Sequence, residues 1–406
     1  MTMPGKKRWQ FISGGVTAAA GFRAAGVSAG IKRSRKPDLS LVVADEPVAA
    51  AAVFTKNKVQ AAPVQISRAR LKSGQAQAVL INSGCANCMT GEQGKRDALV
   101  LSRDVARQLA INESDVLIAS TGLIGRKLPV PRMRRAVPHL IELLGRENHR
   151  AAAQAILTTD IMPKEAAVEA VIQGRKVRLG GMAKGAGMIA PSMATMLCAI
   201  TTDAAISPAD LRALLQEAVE RTFNRISVDG DMSTNDTVFV LASGYSGAVV
   251  RQGGKDAKIF AGMLEAVAEK LAELIVQDGE GATRLMEVRV VHAKTQKEAL
   301  ACARQVAFSP LVKTMLAGGD PNVGRIAGAV GASPARFDAD HLDIYLGPHR
   351  VVAGGVIHEN RALLRELLSK PKVDVRIDLK AGSAEDRMLT CDLTHSYVRI
   401  NAGYAT

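Results

Sequence analysis

The stretch Lys184-Gly-Ala-Gly-Met-Ile-Ala-Pro-Ser-Met-Ala-Thr195-Met-Leu, near the middle of the chain, holds the residue types that can break a peptide bond from within. A Gly-rich approach carrying one lysine leads to a Pro191-Ser192 bend, and a small Ala194-Thr195 junction opens an apolar run. A threonine presented in this way can attack the carbonyl that precedes it. Cleavage there would leave Thr195 as a chain terminus bearing a hydroxyl and a free α-amine. Such an amine has a pKa of about 8 in model peptides, so it can take the hydroxyl proton near neutral pH. Nucleophile and base then become one residue.

A second polar cluster, Ser120-Thr121-Gly122, follows the apolar run that begins at Val116. The Thr121 hydroxyl and the Gly122 N–H are two donors able to form an oxyanion hole for acyl transfer. The same three residues also read as a simple turn. Lys184 and Glu280 are charges set in Gly-rich segments, where a solvated surface charge is the competing reading. Gly185-Ala-Gly187-Met-Ile-Ala190 matches the dinucleotide pattern G-x-G-x-x-A. Pro191 stands where the required helix should already be running, and a strand follows, so that reading is set aside. Cys85-Ala-Asn-Cys88 has C-x-x-C spacing, but no second pair or nearby histidine completes a zinc site. No metal is expected. All histidines lie at His139 or beyond and outside these clusters, so no Ser-His or Cys-His dyad is indicated.

The elements that must position these groups follow from patterning. The chain has 406 residues, enough for two domains or lobes. With 47% hydrophobic but only 3% aromatic residues, Ala, Val, Leu, Ile and Gly must do the packing, which suits close α/β layers. Alternation and apolar runs predict strands over 39–44, 78–82, 116–120, 196–202, 237–243, 287–293, 373–379 and 396–401. A helix should start at Ser207-Pro208, with serine as cap and proline in the first turn, and bury Leu211, Leu214, Leu215, Val219 and Phe223. Others are expected over 263–276 and 361–368. The net charge of +14 raises nucleic-acid binding, yet the basic residues are scattered and lack aromatic partners. No nucleic-acid partner is expected; a basic field can instead attract a small anionic substrate. Five cysteines are too few, and odd, for a disulfide framework. No apolar segment follows the basic N-terminus and no long apolar run occurs, so neither signal peptide nor membrane span is expected, and a cytoplasmic protein is the default.

The motifs resemble those of the self-cleaving ornithine acetyltransferases, or glutamate N-acetyltransferases, of arginine biosynthesis. Lys184 to Leu197 resembles the family's cleavage motif. Gly21-Phe-Arg-Ala-Ala-Gly-Val, Asn82-Ser-Gly-Cys-Ala-Asn87, Ser120-Thr-Gly-Leu-Ile-Gly125, Phe223-Asn-Arg-Ile-Ser-Val-Asp-Gly-Asp231, Ser233-Thr-Asn-Asp-Thr237, Asp278-Gly-Glu-Gly-Ala-Thr283 and Asp320-Pro-Asn322 resemble further blocks, in the family's order. The resemblance implies an α/β fold of mixed layers, the ornithine acetyltransferase or self-processing aminopeptidase-like fold, cut between Ala194 and Thr195. Residues 1–194 would form an α chain and 195–406 a β chain, assembling as two of each.

By the same resemblance Thr195 is the nucleophile and Thr121 and Gly122 the oxyanion hole. Thr158, Lys184, Thr195, Glu280, Asn401 and Thr406 are implied as substrate-binding positions. The implied reaction moves an acetyl group from N-acetylornithine to glutamate by a ping-pong route. No cofactor is implied, although acetyl-CoA stands as an alternative acetyl donor. A self-processing amidohydrolase or aminopeptidase of related fold is the rival reading. Three positions depart from the family pattern: Ile161-Met162, Val323 and Gly403.

Overall fold

A computed structural model of the chain describes residues 8–190, 196–358 and 360–403. They form two compact units. One takes 8–185, 196–224 and 232–275, and the other 186–190, 225–231 and 276–403. The first unit therefore draws strands from both sides of Ala194-Thr195, so its limits differ from those of the expected α and β chains. Ala194, Thr195 and Thr406 lie outside the described residues.

The first unit is organised by a nine-stranded sheet. Across it run Trp9–Ile12, Lys164–Ile172, Arg175–Lys184, Leu197–Thr202, Thr237–Ala242, Leu39–Phe54, Gln75–Cys85 and Val116–Leu123, with Phe22–Val27 paired to the long strand Leu39–Phe54. Period-2 alternation sends successive residues to opposite faces. Val42, Ala44, Val79, Ile81, Leu117 and Ala119 enter one apolar cluster, shared with Ala152, Ala153 and Ile156 of the helix His149–Ala155 and its end. Their neighbours Leu41, Val43, Ala78, Leu80, Val116 and Ile118 enter another, with Leu101 and Val105 of Gly91–Leu109 and Met133, Val137 and Leu140 of Val130–Glu142. Both faces are thus covered, and the strands read as near-continuous apolar runs. That is why the sequence announced them.

Lys164–Ile172 and Arg175–Lys184 form a hairpin closed by two residues, Gln173 and Gly174, with φ of 53° and 72°. Positive φ at both positions gives the twist that two-residue hairpins need. Arg175–Lys184 then pairs antiparallel with Leu197–Thr202, and this second pairing ends with Lys184 opposite Leu197. The expected strand at 196–202 is therefore present from Leu197. The Ser207 cap also holds: its hydroxyl accepts the Asp210 N–H, and Pro208–Arg221 buries Leu211, Leu214, Leu215 and Val219. The third predicted helix, over 361–368, is present as Arg361–Leu368, while the second is longer than patterning suggested and runs Lys255–Gln277.

The second unit holds a seven-stranded sheet, including Leu285–Ala293, Lys372–Asp378 and Ala384–Cys391, with its apolar face against Gln296–Phe308, Pro310–Gly318, Gly324–Gly331 and Arg361–Leu368. The other face is charged. Glu287 pairs with Lys372 at 3.0 Å, Arg289 at 3.4 Å and Arg387 at 3.7 Å. Val323, at a departure from the family pattern, is 1% exposed in the apolar core of this unit.

The strand expected over 396–401 is instead part of a helix, His395–Ala402. Alternating Tyr397, Val398, Arg399 and Ile400 suggested period 2, but Val398 and Ile400 stand in solvent. Helical spacing puts Tyr397 and Asn401 on one side. From there they bond Asp229 at 3.2 Å and Glu280 at 2.7 Å. Short apolar runs do not separate strand from helix, and here tertiary hydrogen bonds decide. Among the described residues no helix is long and apolar enough to cross a membrane.

In the first unit, Asp38 ties the turn before the long strand to it. Its buried carboxylate accepts N–H groups of Ala29 (2.6 Å), Ile31 (2.6 Å) and Lys32 (3.0 Å). Asp38→Ala would strand these donors, at a cost on the order of 3 kcal/mol. The expected outcome is a lower urea midpoint with near-native circular dichroism before unfolding.

Candidate active site

The first unit places Lys184 at the end of a strand, not in a flexible turn. It is 2% exposed and shares the carboxylate of Asp160 with Lys164, which is fully buried. Lys164 Nζ lies 2.7 Å from Asp160 Oδ1 and Lys184 Nζ 3.7 Å from Oδ2. The Gly185 N–H donates to Oδ1 at 2.7 Å, and the Thr158 N–H to Oδ2 at 2.9 Å. Burial alone would push this carboxyl up. The lysines outweigh it, Lys184 first and Lys164 next, and hold Asp160 well below the usual carboxylate range. Thr158 and Lys184, two expected substrate-binding residues, are thus brought together on one buried anion. The departure Ile161-Met162 follows directly: Ile161 is 87% exposed, and the Met162 carbonyl accepts from Lys164 at 3.3 Å.

Thr121 and Gly122 form neither a turn nor a free loop. They stay within the strand Val116–Leu123, where its parallel pairing with Gln75–Cys85 becomes irregular opposite Gly84 and Cys85. Gly122 has φ of 128°, and a Cβ there would lie 2.4 Å from the Gly84 carbonyl carbon. Only glycine fits that close crossing. The Asn235 amide donates to the carbonyls of Ser120 (2.8 Å) and Ala86 (2.7 Å), and the Ser120 hydroxyl donates to Asn82 Oδ1 at 2.6 Å. These bonds fix the strand end that carries the two candidate donors.

Asp236, next to Asn235, has a different task. It is fully buried, and its Oδ1 accepts the Met196 N–H at 3.0 Å while the Thr237 N–H donates to the Met196 carbonyl at 3.1 Å. Met196, which immediately follows Thr195 in the chain, is therefore clamped on both sides of its backbone. Burial pushes the Asp236 carboxyl well above the usual range, against the opposing pull of the Met196 N–H bond and the Lys184 charge. Its Oδ2 has no hydrogen-bond partner among the described residues.

In the second unit, Glu280 and Asn401 come together. The Asn401 amide donates to Glu280 Oε2 at 2.7 Å, and the Glu280 N–H donates to the Ala186 carbonyl at 2.8 Å. Gly281, with φ of 70°, lies so close to the helix His395–Ala402 that a Cβ would stand 2.6 Å from the Tyr397 nitrogen. Asp229 accepts N–H groups of Met188 (2.6 Å) and Ile189 (2.8 Å) and the Tyr397 hydroxyl, which fixes the piece that follows Lys184-Gly185 in sequence. Gly403, the third departure, is the residue that caps this helix. Among the described residues no group of three or more His, Cys, Asp or Glu is placed to hold a metal ion.

The sequence brought out Thr158 and the block Ser233-Thr-Asn-Asp-Thr237 but gave no role to Asp160, Lys164 or Asp236. Their functions depend on burial and on partners such as Lys184 for Asp160 and the Met196 N–H for Asp236, which spacing does not reveal.

The ArgJ family model matches residues 23–406. The chain is 44% identical over 410 residues to the arginine biosynthesis bifunctional protein ArgJ of Synechocystis sp., covering 98% of this chain and 99% of that one. It is 44% identical over 408 residues to the glutamate N-acetyltransferase of Methanocaldococcus jannaschii, covering 97% and 99%. Among solved structures, the ornithine acetyltransferase of Mycobacterium tuberculosis complexed with ornithine aligns with 45% of this chain and 98% of that one, at 42% identity and a TM-score of 0.42.

Asp160→Asn would leave two buried ammonium groups without a counter-charge, costing about 3–5 kcal/mol. The depressed pKa of Asp160 contributes stability above the unfolded value of about 3.9, and that contribution is lost as pH falls toward the folded value. Urea unfolding at several pH values should therefore show a variant weaker than wild type at pH 7 and a gap that narrows below pH 4.

Proposed function

The chain belongs to the ArgJ family, and we propose that it is a glutamate N-acetyltransferase of arginine biosynthesis that takes its acetyl group from N-acetylornithine. The observation that carries the reading is the pairing of Lys184 with Leu197. It brings the two ends of the cleavage motif together on neighbouring strands, with the Met196 peptide held by Asp236 and Thr237. The anchored Met196 peptide supports a nucleophile at the preceding position, since reacting groups need fixed attachment points.

In this reading Thr195 Oγ attacks the Ala194 carbonyl, the Ala194–Thr195 peptide bond breaks to an ester, and water releases chain 1–194. Thr195 of chain 195–406 then carries a free amine. In the transfer reaction Thr195 Oγ attacks the acetyl carbonyl of N-acetylornithine and its α-amine takes the hydroxyl proton. Thr121 and the Gly122 N–H receive the developing oxyanion. The proton passes to the departing ornithine nitrogen, leaving acetyl on Thr195 Oγ. The glutamate amine attacks this ester and leaves as N-acetylglutamate, returning the proton to Thr195. Thr158, Lys184, Glu280, Asn401 and Thr406 bind the substrates, which carry charges of both signs. Two copies of each cleaved chain assemble into the working enzyme, which acts in the cytoplasm.

A denaturing gel with intact mass should show two chains that meet at Ala194-Thr195, and Thr195→Ala one uncut, inactive chain. A single stable wild-type chain with full transfer activity would overturn the mechanism. Incubation with N-acetylornithine and glutamate should yield N-acetylglutamate; net hydrolysis to acetate would favour an amidohydrolase. Gly122→Ala should lower transfer about a hundred-fold or more, measured as kcat, because the added methyl has no space beside Gly84.

A further inference from the structure

Three lysines converge where the oxyanion strand and the Asp160 cluster meet, but only two are committed to that anion. Lys164 and Lys184 are buried on the two oxygens of Asp160. Lys32 is half-buried, and its ammonium donates to a neutral group, the Pro37 carbonyl, at 2.6 Å. Asp38 is adjacent, but its oxygens are taken up by the Ala29, Ile31 and Lys32 N–H groups. Among the described residues no carboxylate stands within ion-pair range of the Lys32 ammonium.

The position of Lys32 is fixed by close packing. A Cβ on Gly84 would lie 3.0 Å from Lys32 Cγ, and a Cβ on Gly122 would lie 2.4 Å from the Gly84 carbonyl carbon. Lys32, Gly84 and Gly122 are therefore stacked in direct succession. Lys32 also feels the charges of Asp160 and Lys184. It joins the candidate oxyanion donors to the cluster that holds Thr158 and Lys184. A partly desolvated ammonium with only a carbonyl partner is poised for an anion.

We propose that Lys32 is a specificity-determining residue that receives the α-carboxylate common to N-acetylornithine and glutamate. This rests on the acetyltransferase reading for the identity of the substrates. Burial is the main reason that the Lys32 pKa is lowered to about 8; Asp38 and Asp160 pull it up, while Lys184 and Lys36 push it further down. In the free enzyme the ammonium thus loses its proton as pH rises through about 8, and carboxylate binding should weaken over the same range. Arginine at this position would stay charged throughout.

The test measures KM and kcat for both substrates between pH 6.5 and 9.5, together with calorimetric Kd values, in wild type, Lys32→Met and Lys32→Arg. Wild-type KM should rise above pH 8. Lys32→Met should raise KM and Kd at least about tenfold at pH 7, with the loss in KM rather than kcat and little remaining pH dependence. Lys32→Arg should remove the alkaline rise, an effect that a purely structural lysine would not produce. Cleavage at Ala194-Thr195 and the thermal midpoint report folding of each variant. Equal Kd values in wild type and Lys32→Met, a loss confined to kcat, an alkaline rise unchanged in Lys32→Arg, or no binding of either amino acid by wild type would each overturn the proposal. Wild type that binds both amino acids yet transfers no acetyl would instead overturn the acetyltransferase reading.

Discussion

A single buried carboxylate, that of Asp160, organises the lysine-rich side of the site. Two ammonium groups and two backbone N–H groups converge on its two oxygens. Each contact would be weak at a solvated surface, but away from water the pairing is compulsory, because either lysine left alone would be a buried charge. The arrangement also fixes where the chain leaves the sheet: the Gly185 N–H is held by the same carboxylate that holds Lys184, so the exit into the Gly-rich motif has a defined direction.

Two other carboxyl groups in the same unit solve different problems. Asp38 spends its oxygens on three N–H groups and so organises a turn. Asp236 is fully buried, which raises its pKa, and it accepts the Met196 N–H. One residue type acts as counter-ion, turn organiser and buried acceptor, according to what surrounds it.

The layered α/β architecture and the strands Leu39–Phe54, Gln75–Cys85, Val116–Leu123, Leu197–Thr202 and Thr237–Ala242 were legible because apolar clusters cover both faces there, which writes apolar runs into the sequence. The candidate oxyanion residues were legible because the Gly84–Gly122 crossing tolerates no side chain. The hairpin through Gln173-Gly174 passed unnoticed: its strands mix Glu, Arg and Lys with Ala and Val and give no clean alternation. The terminal helix was misread because Val398 and Ile400 alternate by accident, while the hydrogen bonds of Tyr397 and Asn401 follow the helical period. Lys32, the Asp160–Lys164 segment and Asp236 come from three places in the chain, and their significance appears only in the folded unit.

The strands Leu197–Thr202 and Thr237–Ala242 lie in the interior of the nine-stranded sheet, between Arg175–Lys184 and Leu39–Phe54. Every other strand of that sheet precedes the Ala194-Thr195 bond in the chain. Once that bond opens, the middle of the sheet belongs to one polypeptide and its flanks to another. The uncut chain folds as a unimolecular event, with the ends of the motif held together by their connection. The cut protein, if unfolded, must find its partner again by diffusion, at a rate set by concentration. Under the proposed cleavage, the cut that frees the amine would therefore change the molecularity of folding, and would turn the native state into one that is reached once, on the way to processing, and afterwards kept rather than regained.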